Sequence, residues 1–349
     1  MTSLEQIWYD DSVGARIARS ALSAPALVYA TVVRLRSAMY DRGVLRTHAP
    51  SIPVLSLGNL TVGGTGKTPV AAWAAARLRE AGARPALVLR GYGGDEPLVH
   101  AALNPSVPVV VNADRVAGVR QARASGADCV VLDDGFQHRR LGRTVDWVLV
   151  AAEQFAAGRR MLPAGPLREP LTAVSRAQVV IVTRKSASSD AAIAIANELH
   201  SMAPLAAMVI CHLAATGLVN GVDGSVDTLA RLSGARVVAV AAIGAPDAFF
   251  AQLRSAGTSE LRTVVLRDHH HFTPRDVERL VRDARGMDGV VCTLKDAVKL
   301  APLWSDVGAP LWYLSQQAEI ERGRQLLDAS LATILSARAG FSSTAGAAG

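Results

Sequence analysis

Short apolar runs, each bounded by glycine, proline or charged positions, punctuate this chain. Ile52–Leu57, Ala86–Leu89, Val107–Val111, Cys129–Leu132, Val145–Ala151 and Val179–Thr183 carry almost no polar alternation. Such runs predict strands buried on both faces, hence a parallel sheet covered by helices on each side. The Ala-rich stretch from Pro69 to about Gly82, and Asp114–Ser125 stopped by Gly126, predict two covering helices. A second series starts at Val237–Gly244 and continues with a helix over Pro246–Ala256 and a strand at Thr263–Leu266. A helix capped by Thr273-Pro274 and running to about Arg285 comes next, then a strand at Gly289–Cys292. Between the series, Ser/Ala-rich helical residues follow Arg184, and Leu205–His212 and Gly217–Gly224 predict a connection with room for a short hairpin. The division expected is an N-terminal arm (1–48), a first α/β domain (49–216), a smaller α/β domain (217–339) and a disordered tail (340–349).

The arm has a pattern of its own. Between Arg19 and Arg34 the chain is uncharged, and these 14 residues fall short of the roughly 20 that span a bilayer. From Ser12 to His48, six arginines stand against Asp41 as the sole acid. A basic, apolar helix suits a membrane interface, with Tyr29 and Tyr40 at headgroup level; it equally suits a helix packed on the core. Periodicity does not separate the two.

With half of its 349 residues hydrophobic and 19% charged, the chain is globular, with an ample core. Its net charge of +7 and pI near 9.8 admit nucleic acid, an anionic membrane or phosphorylated substrates as partners. The charge gathers in the arm and beyond the glycine loop, and aromatics make up only 5%, so nucleic acid is not expected. Cys129, Cys211 and Cys292 are far apart and lack metal or disulfide spacing, so they are expected to be reduced in a cytosolic protein. The start, Met1-Thr2-Ser3-Leu4-Glu5, is unlike a secretory signal.

Candidate chemistry centres on Thr61-Val62-Gly63-Gly64-Thr65-Gly66-Lys67-Thr68, between the first predicted strand and helix. Strand, glycine loop, Lys-Thr and helix form the setting in which a P-loop cradles phosphate, although Thr61 replaces the usual first glycine. In this reading Gly63, Gly64, Thr65 and Gly66 turn backbone N–H groups toward the anion. Lys67 reaches the β/γ-phosphates and the Thr68 hydroxyl holds Mg²⁺. The bland alternative is a structural turn before a helix.

Asp133-Asp134 ends an apolar strand, as a Walker B carboxylate holding Mg²⁺ does. Arg139, Arg140, Arg143, Arg159, Arg160 and Arg168 follow, as a phosphate-binding cluster or a solvated face. Leu162–Pro170 is too proline-rich for helix or central strand and predicts an ordered loop or lid beside the site. Asp268-His269-His270-His271 lacks metal spacing, since adjacent residues do not share a face.

The segments Ser56–Pro69, Asp133–His138 and Leu162–Pro170, in this order, resemble the tetraacyldisaccharide 4′-kinase family. The likeness is strong over 52–184 and traceable to about 335, and Thr61 belongs to that family's loop. It implies a P-loop NTPase-like sheet domain, a smaller α/β domain and an N-terminal interfacial helix. It implies an enzyme that transfers the γ-phosphate of ATP, with Mg²⁺, to the 4′-hydroxyl of tetraacyldisaccharide 1-phosphate, giving lipid IVA for lipid A. The expected place of work is the cytoplasmic face of the inner membrane, and the expected state a monomer.

By residue, the resemblance implies Asp95 as base supported by His269, with Lys67 also catalytic. It assigns Thr68, Asp133 and Asp134 to the metal, and Asn59, Gln137, His138, Arg168 and Glu169 to substrate. A carboxylate hydrogen-bonded to His is a sensible base for a sugar hydroxyl, whereas a lone Asp in a Gly-rich turn is commonly a turn former. The chain departs from the family where Arg90–Pro97 fuses two segments usually separated by a longer loop. Leu89 and Leu294 also replace the usual Ser and Glu, while Lys295, a strand-end residue, is expected to face the nucleotide or solvent. The rivals are another P-loop small-molecule kinase and a membrane-associated ATPase switch.

Overall fold

The computed structural model describes residues 7–91, 94–155, 159–244, 246–304 and 308–345, except for the side chains of 340 and 342–345. Tyr92 and Gly93 of the fused segment, and residues 346–349 of the expected tail, lie outside the described residues.

Among the described residues, twelve strands form one sheet in the order β10-β9-β11-β12-β7-β6-β5-β1-β4-β2-β3, with two-residue β8 (Val226–Asp227) beside β7. The first half contains β1 (Val54–Asn59), β2 (Pro85–Leu89), β3 (Val109–Val111), β4 (Cys129–Leu132), β5 (Val145–Ala151) and β6 (Val179–Arg184). These strands and the start of β7 (Ala207–Asn220) pair in parallel. β1, β2, β4 and β5 are buried at every position, as uninterrupted apolar runs require. The second half is parallel within itself: β9 (Arg236–Ala241), β10 (Glu260–Val265), β11 (Gly289–Thr293) and β12 (Leu311–Arg322).

An antiparallel seam joins the halves, running from Trp312↔Asn220 to Arg322↔Ile210. Here the sequence reading is corrected: 207–220 is one long central strand where the apolar pattern predicts only a connection. Its partner β12 escapes the pattern altogether, because Ser315-Gln316-Gln317 and Glu319, Glu321 and Arg322 dilute its apolar positions. The predicted short hairpin exists where β7 turns back through β8.

The seam creates the cleft. β6 ends beside His212 of β7, whereas β11 ends beside Leu314, which faces Leu218. The carboxyl ends of the two halves therefore point toward each other over six residue steps of β7, at most about 20 Å. Ligands of open α/β sheets gather at such edges.

Helices cover both faces. The Ala-rich α3 (Lys67–Glu80) and the terminal α10 (Arg324–Ala345) pack on β1, β4, β5 and β7, and Trp147 Nε1 donates to Ser330 Oγ at 2.8 Å. The terminal helix extends into the stretch expected as tail. α4 (Glu96–Leu103) and α5 (Arg115–Ala124) flank the P-loop half, α6 (Ser189–Met202) covers β6 and β7, and α7 (Pro246–Ser255), α8 (Pro274–Asp283) and α9 (Leu294–Leu300) surround the second half. Thr273 and Asp276 close α8 with a reciprocal capping box.

The arm forms α1 (Val13–Ala21) and α2 (Ser23–Asp41). Small Ala15, Ala26 and Ala30 face inward, while Val13, Ile17, Leu27, Val28, Val32 and Leu35 are 59–65% exposed. That is the reverse of a core helix. No described helix is long and apolar enough to cross a membrane.

Candidate active site

The glycine loop leaves β1 and enters α3 at Gly66, which caps the helix with φ +80°. The left-handed backbone there favours glycine, and a Cβ would also press on the Leu213 side chain, 2.3 Å from Cδ1. Thr183 Oγ1 at the end of β6 donates to the Thr65 carbonyl at 2.9 Å, tying loop to sheet. The proline-rich loop is tied too: Val62 N donates to Pro166 O at 2.8 Å and Arg168 N to Leu60 O at 2.7 Å. It is a fixed wall of the site.

Lys67 and Thr68 are the first two residues of α3. Lys67 Nζ lies 3.6 Å from Asp134 Oδ1. Arg168 forks onto the same carboxylate at 2.8 and 3.1 Å and also donates to Asn59 Oδ1. Burial alone would raise the Asp134 pKa, but Lys67 and Arg168 hold it well below the usual carboxylate range. Asp133 is buried and its Oδ2 accepts from His100 Nε2 at 2.9 Å, while its Oδ1 is buried without a hydrogen-bond partner.

Asp95, just before α4, is 1% exposed. Its Oδ1 lies 3.1 Å from His269 Nδ1, which reaches it from the second half-sheet. Its Oδ2 is buried without a hydrogen bond, 3.5 Å from Lys299 Nζ and 3.8 Å from Lys295 Nζ. Next to it, Glu96 is raised above the usual glutamate pKa by burial and by Asp133, against the pull of Lys295 and Lys67.

Among the described residues, the non-glycine positions with positive φ are Asp134 (+53°) and His269 (+58°). Both lie in this cleft. Left-handed backbone in non-glycine residues costs free energy and gathers at functional sites, where surrounding structure holds it.

The remaining sequence candidates are spread more widely. Gln137 Nε2 donates to the Asn59 carbonyl at 2.9 Å, beside Arg168. His138 is half-buried, and burial with the charges of Arg115, Arg143 and Arg140 pushes its pKa down to about 4. Glu169 is buried against Arg176 (2.6 Å), whose guanidinium covers Phe136 and reaches Ser37 of α2, so its carboxylate faces the arm. The arginine cluster is not one phosphate site. Arg168 stands at Asp134, whereas Arg139 pairs with Asp41, Arg140 with Asp114, Arg143 with Asp146 and Arg159 with Glu198. Lys295 faces His269 at 3.2 Å.

Sequence reasoning missed Glu96, His100, Arg115 and Lys299. Glu96 and His100 share a helix face at i, i+4, as do Lys295 and Lys299, a weak signal that Asp95 on an adjoining element makes meaningful. Nothing local marks Arg115, which opens α5 and is 5% exposed near both Asp133 and Asp134. The three cysteines are buried and free.

The family model for tetraacyldisaccharide-1-P 4′-kinase, LpxK, matches residues 18–336. A tetraacyldisaccharide 4′-kinase from Anaeromyxobacter dehalogenans is 36% identical over 363 aligned positions, covering 95% of each chain. One from Geobacter sulfurreducens is 38% identical, covering 82% of this chain and 86% of its own. A crystal structure described as the "apo" form of LpxK from Aquifex aeolicus in complex with ATP superposes with a TM-score of 0.70. It is 26% identical and covers 91% of this chain and 99% of its own. The chain belongs to the tetraacyldisaccharide 4′-kinase family.

Proposed function

We propose that this chain transfers the γ-phosphoryl group of ATP to the 4′-hydroxyl of tetraacyldisaccharide 1-phosphate, giving lipid IVA in lipid A synthesis. The observation that carries the reading is Asp95 and His269 meeting across the cleft from the Lys67 loop. Backbone N–H groups of 63–66 and Lys67 bind the phosphates, and Asp95 takes the hydroxyl proton. Arg168, its fork taken up by Asp134 and Asn59, holds that carboxylate in place and brings its positive charge to the substrate side. Gln137, His138 and Glu169 shape the acceptor side between this fork and the arm.

Among the described residues, no three His, Cys, Asp or Glu side chains converge as a ready-made metal cage. Mg²⁺ does not need one, since it uses one or two carboxylates together with substrate phosphates and water. The unpartnered Asp133 Oδ1, with Asp134 and Thr68, fits that habit. Bound there, Mg²⁺ would neutralise charge developing on the phosphates.

The exposed aliphatic face of α1 and α2 and its arginines suit the cytoplasmic surface of the inner membrane, where ATP and the lipid acceptor meet. The 49–216 and 217–339 halves, joined through β7 in one sheet, would line the two sides of the substrate cleft. The working state we propose is a monomer.

The test is product analysis with γ-labelled ATP and tetraacyldisaccharide 1-phosphate in mixed micelles. Label on the 4′-position is expected; ATP turnover without phosphorylated lipid would mean a nucleotide switch instead.

A further inference from the structure

We infer that Lys295 is a positioning residue for the base: it fixes the tautomer of His269 and thereby decides which oxygen of Asp95 receives the sugar proton. This rests on the reading of Asp95 as base.

Lys295 lies in the first turn of α9, directly after β11, where Thr293 caps the helix. Its Nζ stands 3.2 Å from His269 Nε2, 3.6 Å from Asp268 Oδ1 and 3.8 Å from Asp95 Oδ2. Asp268 Oδ1 also accepts from the His269 backbone N–H at 3.0 Å, so one carboxylate steadies both the strained histidine and the lysine. An ammonium group donates and never accepts, so Nε2 must offer its lone pair to Lys295. A neutral imidazole then carries its single proton on Nδ1, which donates to Asp95 Oδ1. The opposite tautomer would set a lone pair of Nδ1 against Asp95 Oδ1 at 3.1 Å and an N–H against the ammonium. Both contacts would be repulsive.

The consequence falls on Asp95. Its Oδ1 is engaged by His269, and Oδ2, which accepts no hydrogen bond and has Lys299 and Lys295 Nζ at 3.5 and 3.8 Å, is the oxygen left to take a proton from a hydroxyl. In the transfer, the hydroxyl oxygen forms its bond to the γ-phosphorus and its proton passes to Oδ2. The bond between γ-phosphorus and the β,γ-bridging oxygen breaks, and its electron pair leaves with ADP. Lys299, one turn along α9, is held by the His270 carbonyl at 3.2 Å and Asp296 Oδ1 at 3.5 Å. It stands at the same distance, 3.5 Å, from Asp95 Oδ2, an ion pair shared between the two carboxylates and not a hydrogen bond.

The experiment compares wild type, Lys295→Met and Lys295→Arg as full chains, with ¹⁵N-labelled histidine. Imidazole spectra are assigned by difference from His269→Gln, and kinetics use ATP with tetraacyldisaccharide 1-phosphate. Wild type should show His269 protonated on Nδ1 and bare on Nε2. Lys295→Met should lose that signature and about 10²-fold in kcat, the lower range for a general base, with KM for ATP nearly unchanged. Lys295→Arg, which keeps a donor, should recover the signature and most of the rate. A wild-type proton on Nε2, an unchanged signature in Lys295→Met, or a loss confined to KM for ATP would overturn the inference. Asp95→Asn separates the two readings. Retained activity there removes the base itself, whereas an inactive Asp95→Asn beside a fully active Lys295→Met removes only the role of Lys295.

Discussion

The Nδ1 atom of His269 stands 3.1 Å from Oδ1 of Asp95, across 174 positions of sequence. The contact exists because the β7–β12 seam is antiparallel: two parallel half-sheets of opposite direction must aim their carboxyl ends at one another. A P-loop at one end and a carboxylate–histidine pair bridging the gap make a two-sided phosphoryl-transfer site.

Asp95→Asn should therefore lower kcat by about 10²–10⁴-fold while leaving the melting temperature close to wild type. His269→Ala should lose less, and the double variant should be little worse than Asp95→Asn, because the two act as one unit. Additive losses measured under saturating ATP would show that they act separately.

Arg168 tests the opposite wall. Its fork holds Asp134 and Asn59 together, and lysine cannot reproduce two parallel donors. Arg168→Lys should lower kcat/KM about tenfold or more, from the loss of a charge-assisted bond worth roughly 1.5–3 kcal/mol. Steady-state kinetics varying each substrate would check this, and wild-type efficiency in Arg168→Lys would leave the fork without a role.

How much of this was legible in the chain differs between the two half-sheets. The P-loop half could be read because its buried strands are uninterrupted apolar runs, and because Gly66-Lys67-Thr68 and Asp133-Asp134 sit beside those runs in sequence. The seam could not: β7 mixes Ala214, Ala215, Thr216 and Gly217 into its apolar positions, and β12 is half polar. The same limit applies to the site. Asp95 and His269 were reachable only through family likeness, and Arg115 and Lys299 acquire meaning only once the sheet brings them to the cleft. The arginine cluster misled because adjacency in sequence is not adjacency in space; most of its members answer nearby acids.

Gly58, inside β1, offers a test of packing around the site. A Cβ there would lie 2.4 Å from Phe136 Cβ and 2.8 Å from Phe136 N, and the backbone cannot step aside inside a fully buried strand. Gly58→Ala should destabilise by about 1–3 kcal/mol or more and disturb Asp134, two residues before Phe136. Denaturant midpoints at constant slope would report it, and a wild-type midpoint would contradict the close approach.

His138 predicts a pH dependence of stability. Its folded pKa is pushed from the usual 6.5 down to about 4, first by burial and then by neighbouring arginines. Between those values the unfolded chain binds a proton that the native protein refuses, so stability falls as pH drops from about 6.5 toward 4, by up to about 3 kcal/mol. His138→Gln removes the titration and should flatten that part of the profile relative to wild type. Equal acid slopes in the two proteins, measured by thermal melts at fixed ionic strength, would count against it.

The arm carries the last prediction. Leu27, Val28, Val32 and Leu35 lie on one side of α2, opposite buried Ala26 and Ala30, and the other side is moored to the body of the protein. Tyr29 Oη donates to the Arg168 carbonyl at 3.1 Å, Arg139 reaches the Ser37 carbonyl at 2.9 Å, and Arg36 reaches the Gln137 carbonyl. These ties run to the wall of the site, so a surface that takes up the aliphatic face also sets the cleft at a fixed height above it. Basic residues near an anionic surface each add about 1 kcal/mol, and salt weakens that share but not the apolar one. Val28→Glu/Val32→Glu/Leu35→Glu should cut binding to phosphatidylglycerol vesicles by about 10²-fold or more, the cost of losing several apolar insertions. Turnover of micelle-dispersed substrate should stay near wild type. Replacing Arg16, Arg34 and Arg42 with Gln should instead flatten the salt dependence of vesicle binding. Unchanged sedimentation of the triple glutamate variant with vesicles would show that α2 does not enter the interface.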